Sequence, residues 1–204
     1  HIVLSAEQIG EFLGIPITNT LITSWVVMVL LIAVAVLVGR NLQLVPGKGQ
    51  VLVETLMGGV LDYMEETLGS RKLAIAFFPL IMTLFLFIFG ANITEFTPGI
   101  GSVGFFSASG GHEQFVPLFR SVNTDLNVTL ALAIIAFLVI EVTGVVVLGF
   151  LKYARKFVNL KSVLGFFIGI IELFSEIARL ISFSFRLFGN IFAGEVLILV
   201  AAAF

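Results

Sequence analysis

The sequence contains no cysteine, only two histidines and one tryptophan, and charged residues make up only 12% of its 204 residues. Without cysteine, disulfide bonds and thiolate metal sites are excluded, and the two histidines lack the spacing of metal ligands on a helix. An ordinary globular domain has about a quarter of its residues charged. Here 59% of the residues are hydrophobic and the mean hydropathy is +1.15. The composition predicts an integral membrane protein, and we expect no metal, no cofactor and no nucleic-acid partner.

The motifs of soluble enzymes are missing as well. No phosphate-binding glycine motif follows a strand pattern, and neither G-x-S-x-G nor H-E-x-x-H occurs. The chain has no initiator methionine and no basic region before a short apolar core at its start, and it stops within an apolar run at Phe204. We therefore expect a fragment without a secretory signal peptide and without ATP chemistry or other soluble catalysis of its own.

Long apolar runs predict three membrane spans, at residues 21–38, 73–96 and 126–151. The first run covers about 27 Å as a helix, which is enough for the hydrocarbon core. A fourth stretch, residues 162–204, would be about 63 Å long as a straight helix, twice the core. It is expected to be strongly tilted or broken at a glycine. The candidate break points are Gly165, Gly169 and Gly189.

Residues 50–67 carry their acidic and polar side chains on one arc of a helix and most of their apolar side chains elsewhere. This pattern predicts an amphipathic surface helix, which begins after the turn Pro46-Gly-Lys-Gly and ends at Gly69-Ser. A short soluble helix is the alternative. The predicted fold class is thus an all-α polytopic membrane protein, with a single membrane domain over residues 1–204.

Basic residues indicate the orientation. Eight of the eleven follow either the first or the third span: Arg40, Lys48, Arg71, Lys72, Lys152, Arg155, Lys156 and Lys161. The positive-inside rule places both segments in the cytoplasm, so the N-terminus is expected outside. The segment at residues 97–124, rich in glycine and serine, would then be an external loop and is expected to be a plain connector.

Polar side chains share one side of the fourth stretch. At about 100° per residue, four of them lie within about 40° of Glu172. They are Glu176, Arg179, Arg186 and Asn190. Glu195 lies about 140° from Glu172, on the other side of the helix. The spacing predicts a polar stripe that faces one neighbour and a separate acid that faces another.

Arg186 is the leading functional candidate, because it is flanked by apolar residues such as Phe185 and Leu187. An arginine at the bilayer centre costs from about 3 kcal/mol on insertion scales to above ~10 kcal/mol in simulations. An upright helix would put Arg186 about 36 Å from its start, near an interface where its side chain could reach water. The length of the stretch argues against that posture. We therefore predict a functional cation on an ion pathway.

Other interpretations remain open at this point. Glu172, Glu176 and Arg179 could form i, i+4 and i, i+3 ion pairs on a solvated part of the helix. The chain could be an ion-coupled secondary transporter whose Arg186 binds an anionic substrate, although no inverted repeat is visible. It could also be a structural membrane scaffold in which the stripe packs against another helix.

The motif Phe185-Arg-Leu-Phe-Gly-Asn190, followed by Ala193-Gly-Glu195, resembles subunit a of the bacterial F-type ATP synthase, the membrane stator beside the rotating c-ring. Asp125-Leu-Asn-Val-Thr-Leu130 is similar to a second signature of that family, and Glu172 stands at the family's acidic position before the arginine. The resemblance covers most of the chain. It implies that the chain is incomplete at its C-terminus, because it stops before the family's last long helix.

The resemblance implies that Arg186 faces the carboxylate of each c subunit and that two offset half-channels carry protons to and from that carboxylate. The residues that it places in the external half-channel are Glu195, Asn190, Asp125 and Asn127. It places Glu172 at the cytoplasmic exit. Arg179 stands at the family's usual lysine or polar position, and Glu176 is interpreted as its partner on the same helix; both are counted with the proton pathway. The implied partners are the c-ring, subunit b, the remaining ATP synthase subunits and the lipid of a bacterial plasma membrane.

Two acids depart from the family pattern. Glu95 stands where a small or apolar residue is expected, and it is interpreted as a marker of the membrane interface. Glu141 lies within the third span and matches no functional position of the family. It is predicted to be either a channel-lining acid or an acid neutralised in a contact between helices.

Overall fold

A computed structural model of the chain describes residues 6–12, 14–40, 42–96, 103–109, 112–157 and 163–202. The chain forms two compact units, one within residues 6–122 and the other within residues 123–204. Within these residues, three helices are long and apolar enough to cross a membrane: Asn19–Arg40, Arg71–Thr94 and Leu126–Leu148. The predicted class of an all-α polytopic membrane protein is confirmed. The single membrane domain over residues 1–204 stays a prediction.

The first unit begins with an antiparallel hairpin of β1 (Gln8–Phe12) and β2 (Ile15–Thr18), which leads directly into α1 (Asn19–Arg40). The Thr18 hydroxyl accepts a hydrogen bond of 3.3 Å from the Leu21 amide, so it caps the free amides at the start of α1. The helix α1 contains the predicted first span and extends beyond the apolar run at both ends.

The amphipathic helix is α2 (Lys48–Leu68), which agrees with the predicted residues 50–67. It ends at Gly69, whose φ of 66° is the left-handed conformation that glycine adopts without strain. The Gly69 amide donates to the Glu65 carbonyl at 2.8 Å. After this turn, α3 (Arg71–Phe96) forms the second span, and Pro79 lies inside the helix without ending it.

Packing in this unit joins α3 to both α1 and α2. Gly90 lets α3 approach α1 closely, since a Cβ there would lie only 3.3 Å from Val27 Cγ1. Most other apolar side chains of α1 stay exposed, for example Val29 and Ile32 at 65% and 63%. Such surface is expected where the surrounding solvent is lipid.

The segment at residues 97–124 is more than a plain connector, so that prediction was wrong. Within its described part, β3 (Gly104–Ser109) pairs with β4 (His112–Pro117) as an antiparallel hairpin. Its end is fixed to α1, where the Asn19 side-chain amide donates to the Pro117 carbonyl at 3.4 Å. The Arg120 amide also donates to the Thr23 hydroxyl at 3.2 Å. Polar side chains at the start of α1 thus hold the hairpin.

The second unit contains a short 3₁₀ segment followed by α4 (Leu126–Leu148), α5 (Phe150–Phe157) and α6 (Val163–Ala202), which pack against one another. The third span was predicted to reach residue 151, but α4 ends at Leu148. Gly149 follows with φ 80° and ψ 143°, a conformation almost restricted to glycine. The basic segment after it is the helix α5 rather than a simple loop.

The fourth apolar stretch is one helix, since α6 runs without interruption over 40 residues. None of the three glycines proposed as break points ends it. Its length is about 60 Å at 1.5 Å per residue, which exceeds the hydrocarbon core about twofold. The unbroken helix contradicts the predicted break at a glycine, and the strong tilt stays a prediction. The positions 162, 203 and 204 of the predicted stretch lie outside the described residues.

Candidate functional site

Arg186 lies exposed on α6. Its guanidinium donates one long hydrogen bond of 3.5 Å to the Ser182 hydroxyl, one turn earlier on the same helix. It also lies 5.8 Å from the centroid of the Phe183 ring. Arg186 forms no ion pair with any residue that the structure describes. The cation is therefore presented outward, next to an aromatic ring that can support a positive charge.

Asn190 is exposed one turn after Arg186, on the same side of α6. Glu195 differs from both, because its side chain is half-buried. One carboxylate oxygen of Glu195, Oε2, is buried and has no hydrogen-bond partner among the described residues. The predicted division between an Arg186 side and a Glu195 side therefore agrees with their different burial.

An ionic cluster occupies the first part of α6. Glu176 is only 3% exposed, and its Oε2 accepts from Arg179 at 2.7 Å, the i, i+3 pair that the sequence left open. Its other oxygen, Oε1, accepts from Lys156 Nζ on α5, also at 2.7 Å. Glu172 binds the same ammonium at 2.8 Å. Lys156 therefore joins two acids of α6 to α5.

The predicted stripe is thus divided into two parts. Its first part comprises Glu172, Glu176 and Arg179, which the cluster holds together. Its second part comprises Arg186 and Asn190, and among the described residues no hydrogen bond or ion pair connects it to the first. Helical spacing alone gave one continuous stripe, because it contains no information on what packs against each turn.

Lys156 was predicted only as one of the basic residues that set the orientation. Its pKa is raised above the usual lysine range, because its ammonium donates hydrogen bonds to Glu172 and Glu176. The signal in the sequence was the group Tyr153, Lys156 and Phe157 after Gly149, which places aromatic and basic side chains on one face of a short helix. The cluster is completed only by the tertiary contact between α5 and α6.

Glu141 is explained by a contact between α4 and α5. The Tyr153 hydroxyl donates to Glu141 Oε2 at 2.8 Å, while Oε1 is buried with no hydrogen-bond partner in the described part of the chain. Gly144 makes room for the ring, since a side chain at this position would overlap Tyr153. Of the two predicted roles, the geometry favours an acid held in a helix contact. The side chain of Glu95 lies outside the described residues.

Asp125 and Asn127 lie at the start of α4. Asp125 is 5% exposed, and its Oδ1 accepts from the Asn127 amide at 2.9 Å, so it is the N-cap of the helix. The Asn127 side chain is exposed. The capping role of Asp125 was missed in the sequence, although an aspartate directly before an apolar run is a typical signal for it.

The chain is similar to proteins of one family over nearly its whole length. The sequence model of the family described as ATP synthase A chain matches residues 21–204. ATP synthase subunit a of Campylobacter jejuni (strain 81-176) is 34% identical over 177 residues, which cover 87% of this chain and 70% of that protein. The subunit a of Desulfotalea psychrophila is 34% identical over 212 residues, covering 97% of this chain and 80% of the relative.

A third relative, the ATP synthase subunit a of Campylobacter curvus, is 35% identical over 174 residues, 85% of this chain and 69% of that protein. The matched region contains the helices α2 to α6, all of α1 except its first two residues, and every predicted site residue. A match of this extent decides against the secondary transporter and the scaffold as separate classes. The chain therefore belongs to the ATP synthase A chain family, the proton-translocating stator subunits of the membrane Fo sector.

Proposed function

We propose that Arg186 is the fixed cation that faces the ionisable carboxylate of the rotating c-ring and separates two offset proton half-channels. One observation carries this proposal. Arg186 is exposed on a membrane helix and has no carboxylate partner among the described residues, whereas Arg179 and Arg71 both bind acids of their own chain. Because an unpaired arginine in a membrane is costly, its counter-ion is expected from another subunit.

The physical consequence is directional proton transfer. A cation beside a carboxylate favours the ionised form, so a protonated ring carboxylate releases its proton as it approaches Arg186. The same positive charge repels a proton that would pass directly from one half-channel to the other. A proton can then cross only by travelling on the ring as it turns.

The remaining site residues divide between the two sides. We assign Glu195 and Asn190, with Asp125 and Asn127, to the external half-channel. We assign Glu172 to the cytoplasmic exit, with Glu176 and Arg179 beside it. Support comes from the different burial of Glu195 and Arg186, and from the position of Glu172 on the turn of α6 that contacts the basic helix α5.

The basic residues of the chain also indicate its orientation in the membrane. The basic residues around α2 and on α5 favour the cytoplasmic side, so the N-terminus is external. The membrane is a bacterial plasma membrane, and the direct partners are the c-ring, subunit b of the peripheral stalk and the surrounding lipid. The chain is part of the Fo complex with the other ATP synthase subunits.

Arg186→Ala in the assembled complex tests the proposal. Proton-driven ATP synthesis is expected to fall to background, because the ring carboxylate loses the charge that promotes proton release. Arg155→Ala is the matched control, since Arg155 is an exposed arginine on α5 that forms no ion pair with a described residue. Normal synthesis by Arg186→Ala at normal assembly would refute the proposal.

Arg186→Gln distinguishes a proton barrier from a packing element. Glutamine keeps much of the side chain's length and its hydrogen-bonding capacity but removes the charge. If Arg186 only packs against another helix, ring-coupled proton flux in this variant remains near the wild-type level. The proposal expects that flux to be lost while the complex still assembles.

A further inference from the structure

The helix α5 is folded back by Gly149 so that it packs against both α4 and α6. Contact with α6 is close at Gly169, where an added side chain would overlap the backbone carbonyl of Phe157. Glycine at this position therefore permits the two backbones to meet. The contact places the C-terminal half of α5 beside the first three turns of α6, where the acids of the cytoplasmic exit begin.

Lys156 on α5 forms ion pairs with α6 across this contact. Its Nζ lies 2.8 Å from Glu172 Oε1 and 2.7 Å from Glu176 Oε1, so one ammonium binds two carboxylates. Two aromatic rings of α5 also flank it, with ring centroids 5.8 Å away for Tyr153 and 5.4 Å away for Phe157. An ammonium held by two acids and two rings has little freedom to move.

The two acids differ in their surroundings. Glu176 is 3% exposed and has a second cation, Arg179, whereas Glu172 is 34% exposed and has Lys156 as its only ion-pair partner among the described residues. The cluster contains two cations and two anions, so it is neutral as a whole. Glu176 is therefore fully compensated inside the protein, and Glu172 is the acid that remains open to water.

We propose that Lys156 is a positioning residue of the cytoplasmic proton exit, which holds the Glu172 carboxylate in place against α5 and keeps Glu176 as a fixed counter-ion. This inference rests on the proposed assignment of Glu172 to the exit. It adds a residue outside α6 to the pathway. It also divides the acids by role: Glu172 exchanges protons with water, and Glu176 holds the cation that positions Glu172.

Lys156→Met in the assembled complex tests the inference. Methionine keeps an unbranched apolar stem, so packing against the rings of α5 is largely retained while the ammonium is lost. Proton-driven ATP synthesis and passive proton conductance in reconstituted vesicles are both expected to fall about tenfold, as for a misplaced functional group. Lys156→Arg restores both carboxylate contacts and is expected to recover at least half of the conductance.

Lys152→Met is the matched control. Lys152 lies one turn earlier on the same helix, is exposed, and forms no ion pair with a described residue. The Lys152→Met variant removes the same charge from the same helix. An effect that depends only on the net positive charge of α5 would therefore appear in both variants. Conductance near the wild-type level for Lys152→Met and a large loss for Lys156→Met are expected. Equal loss in the two variants would overturn the inference.

The double variant Lys156→Met, Glu176→Gln covers the case in which the single variant fails to assemble. It removes one charge of each sign, so no acid is left buried with too few cations. It is expected to assemble and still to conduct poorly, because Glu172 has lost its partner. Wild-type conductance in this double variant overturns the inference. Arg186→Ala, measured in parallel, tests the proposed function itself and so separates this result from failure of that function.

Discussion

The hydroxyl of Ser184 on α6 lies 3.3 Å from the hydroxyl of Thr129 on α4, and both residues are 1% exposed. This buried pair fixes which side of α6 faces α4. Arg186 follows two residues later, about 200° further around the helix, and is therefore on the opposite side. Packing against α4 thus directs Arg186 outward, where a partner subunit can reach it.

Ser184→Leu is expected to reduce proton-driven ATP synthesis strongly without changing Arg186. The leucine side chain has no space between α4 and α6, so α6 must shift or rotate and carry Arg186 with it. We expect a loss of at least tenfold in synthesis, since shifts of about 1 Å at a reacting group can cost as much as a hundredfold. The measurement is ATP synthesis in vesicles at matched levels of assembled complex.

Ser184→Ala is the control for that variant. Thr129 keeps a hydrogen bond of 3.1 Å to the Leu126 carbonyl, so its hydroxyl is not left without a partner. The alanine variant is expected to lose about 1 kcal/mol or less of stability and to retain most of its synthesis. A leucine variant as active as the alanine variant would show that this packing does not orient Arg186.

Gly169→Ala is expected to separate α5 from α6. A methyl group at this position would overlap the Phe157 carbonyl, which is backbone and has no flexible end that could move away. The contact must therefore open, and the free energy of unfolding is expected to fall by about 1–3 kcal/mol. Thermal denaturation of the complex measures this loss. Gly58→Ala on α2 is the control, because nothing lies within 4 Å of the added Cβ. This control should be neutral or slightly stabilising.

Much of the fold could be predicted because hydrophobic length is a local property. The three spans and the surface helix α2 follow from apolar runs and from their flanking turns, with errors of a few residues at the ends. The end of the third span was misplaced because residues 149–151 continue the apolar run. Only the backbone conformation of Gly149 ends the helix, and hydropathy does not report it.

The candidate site could be predicted only along α6 itself. Helical spacing relates Glu172, Glu176 and Arg186 to one another, because all three lie on one element. Lys156 and Tyr153 were missed because they reach their partners across a tertiary contact that depends on two glycines, Gly149 and Gly169. Pairing between strands β3 and β4 was also missed, since two strands of only six residues give a weak pattern.

Asp125 allows its charge and its capping role to be tested separately. Asparagine is as good an N-cap as aspartate, whereas alanine leaves the amides at the start of α4 without an acceptor. Asp125→Ala is therefore expected to lower stability by about 1 kcal/mol and Asp125→Asn to preserve it. Reduced proton conductance in the stable asparagine variant is the result expected from a place in the external half-channel. Full conductance in that variant would restrict Asp125 to capping.

Tyr153→Phe is expected to lower stability by about 1–3 kcal/mol, because Glu141 then loses its hydrogen-bond donor at a site where its other oxygen is already buried and unpaired. Thermal denaturation of the purified complex measures this loss. Tyr63→Phe is the matched control, since Tyr63 is 71% exposed and the chain contains only these two tyrosines. An equal effect of both substitutions would contradict a specific contribution of the hydrogen bond to Glu141.

The same hydrogen bond predicts the pH dependence of this contribution. Burial, followed by the hydrogen bond to Glu141, raises the pKa of the Tyr153 phenol above its ordinary value. The neutral phenol is therefore the form that the fold favours, and its contribution is fully present below about pH 10, the pKa of an unperturbed tyrosine. It is lost only as pH rises through the raised pKa of the folded protein.

The stability difference between wild type and Tyr153→Phe should thus stay constant from neutral pH to about pH 10 and shrink above it. A difference that shrinks already between pH 7 and pH 9 would mean that the phenol ionises too early to be the donor to Glu141.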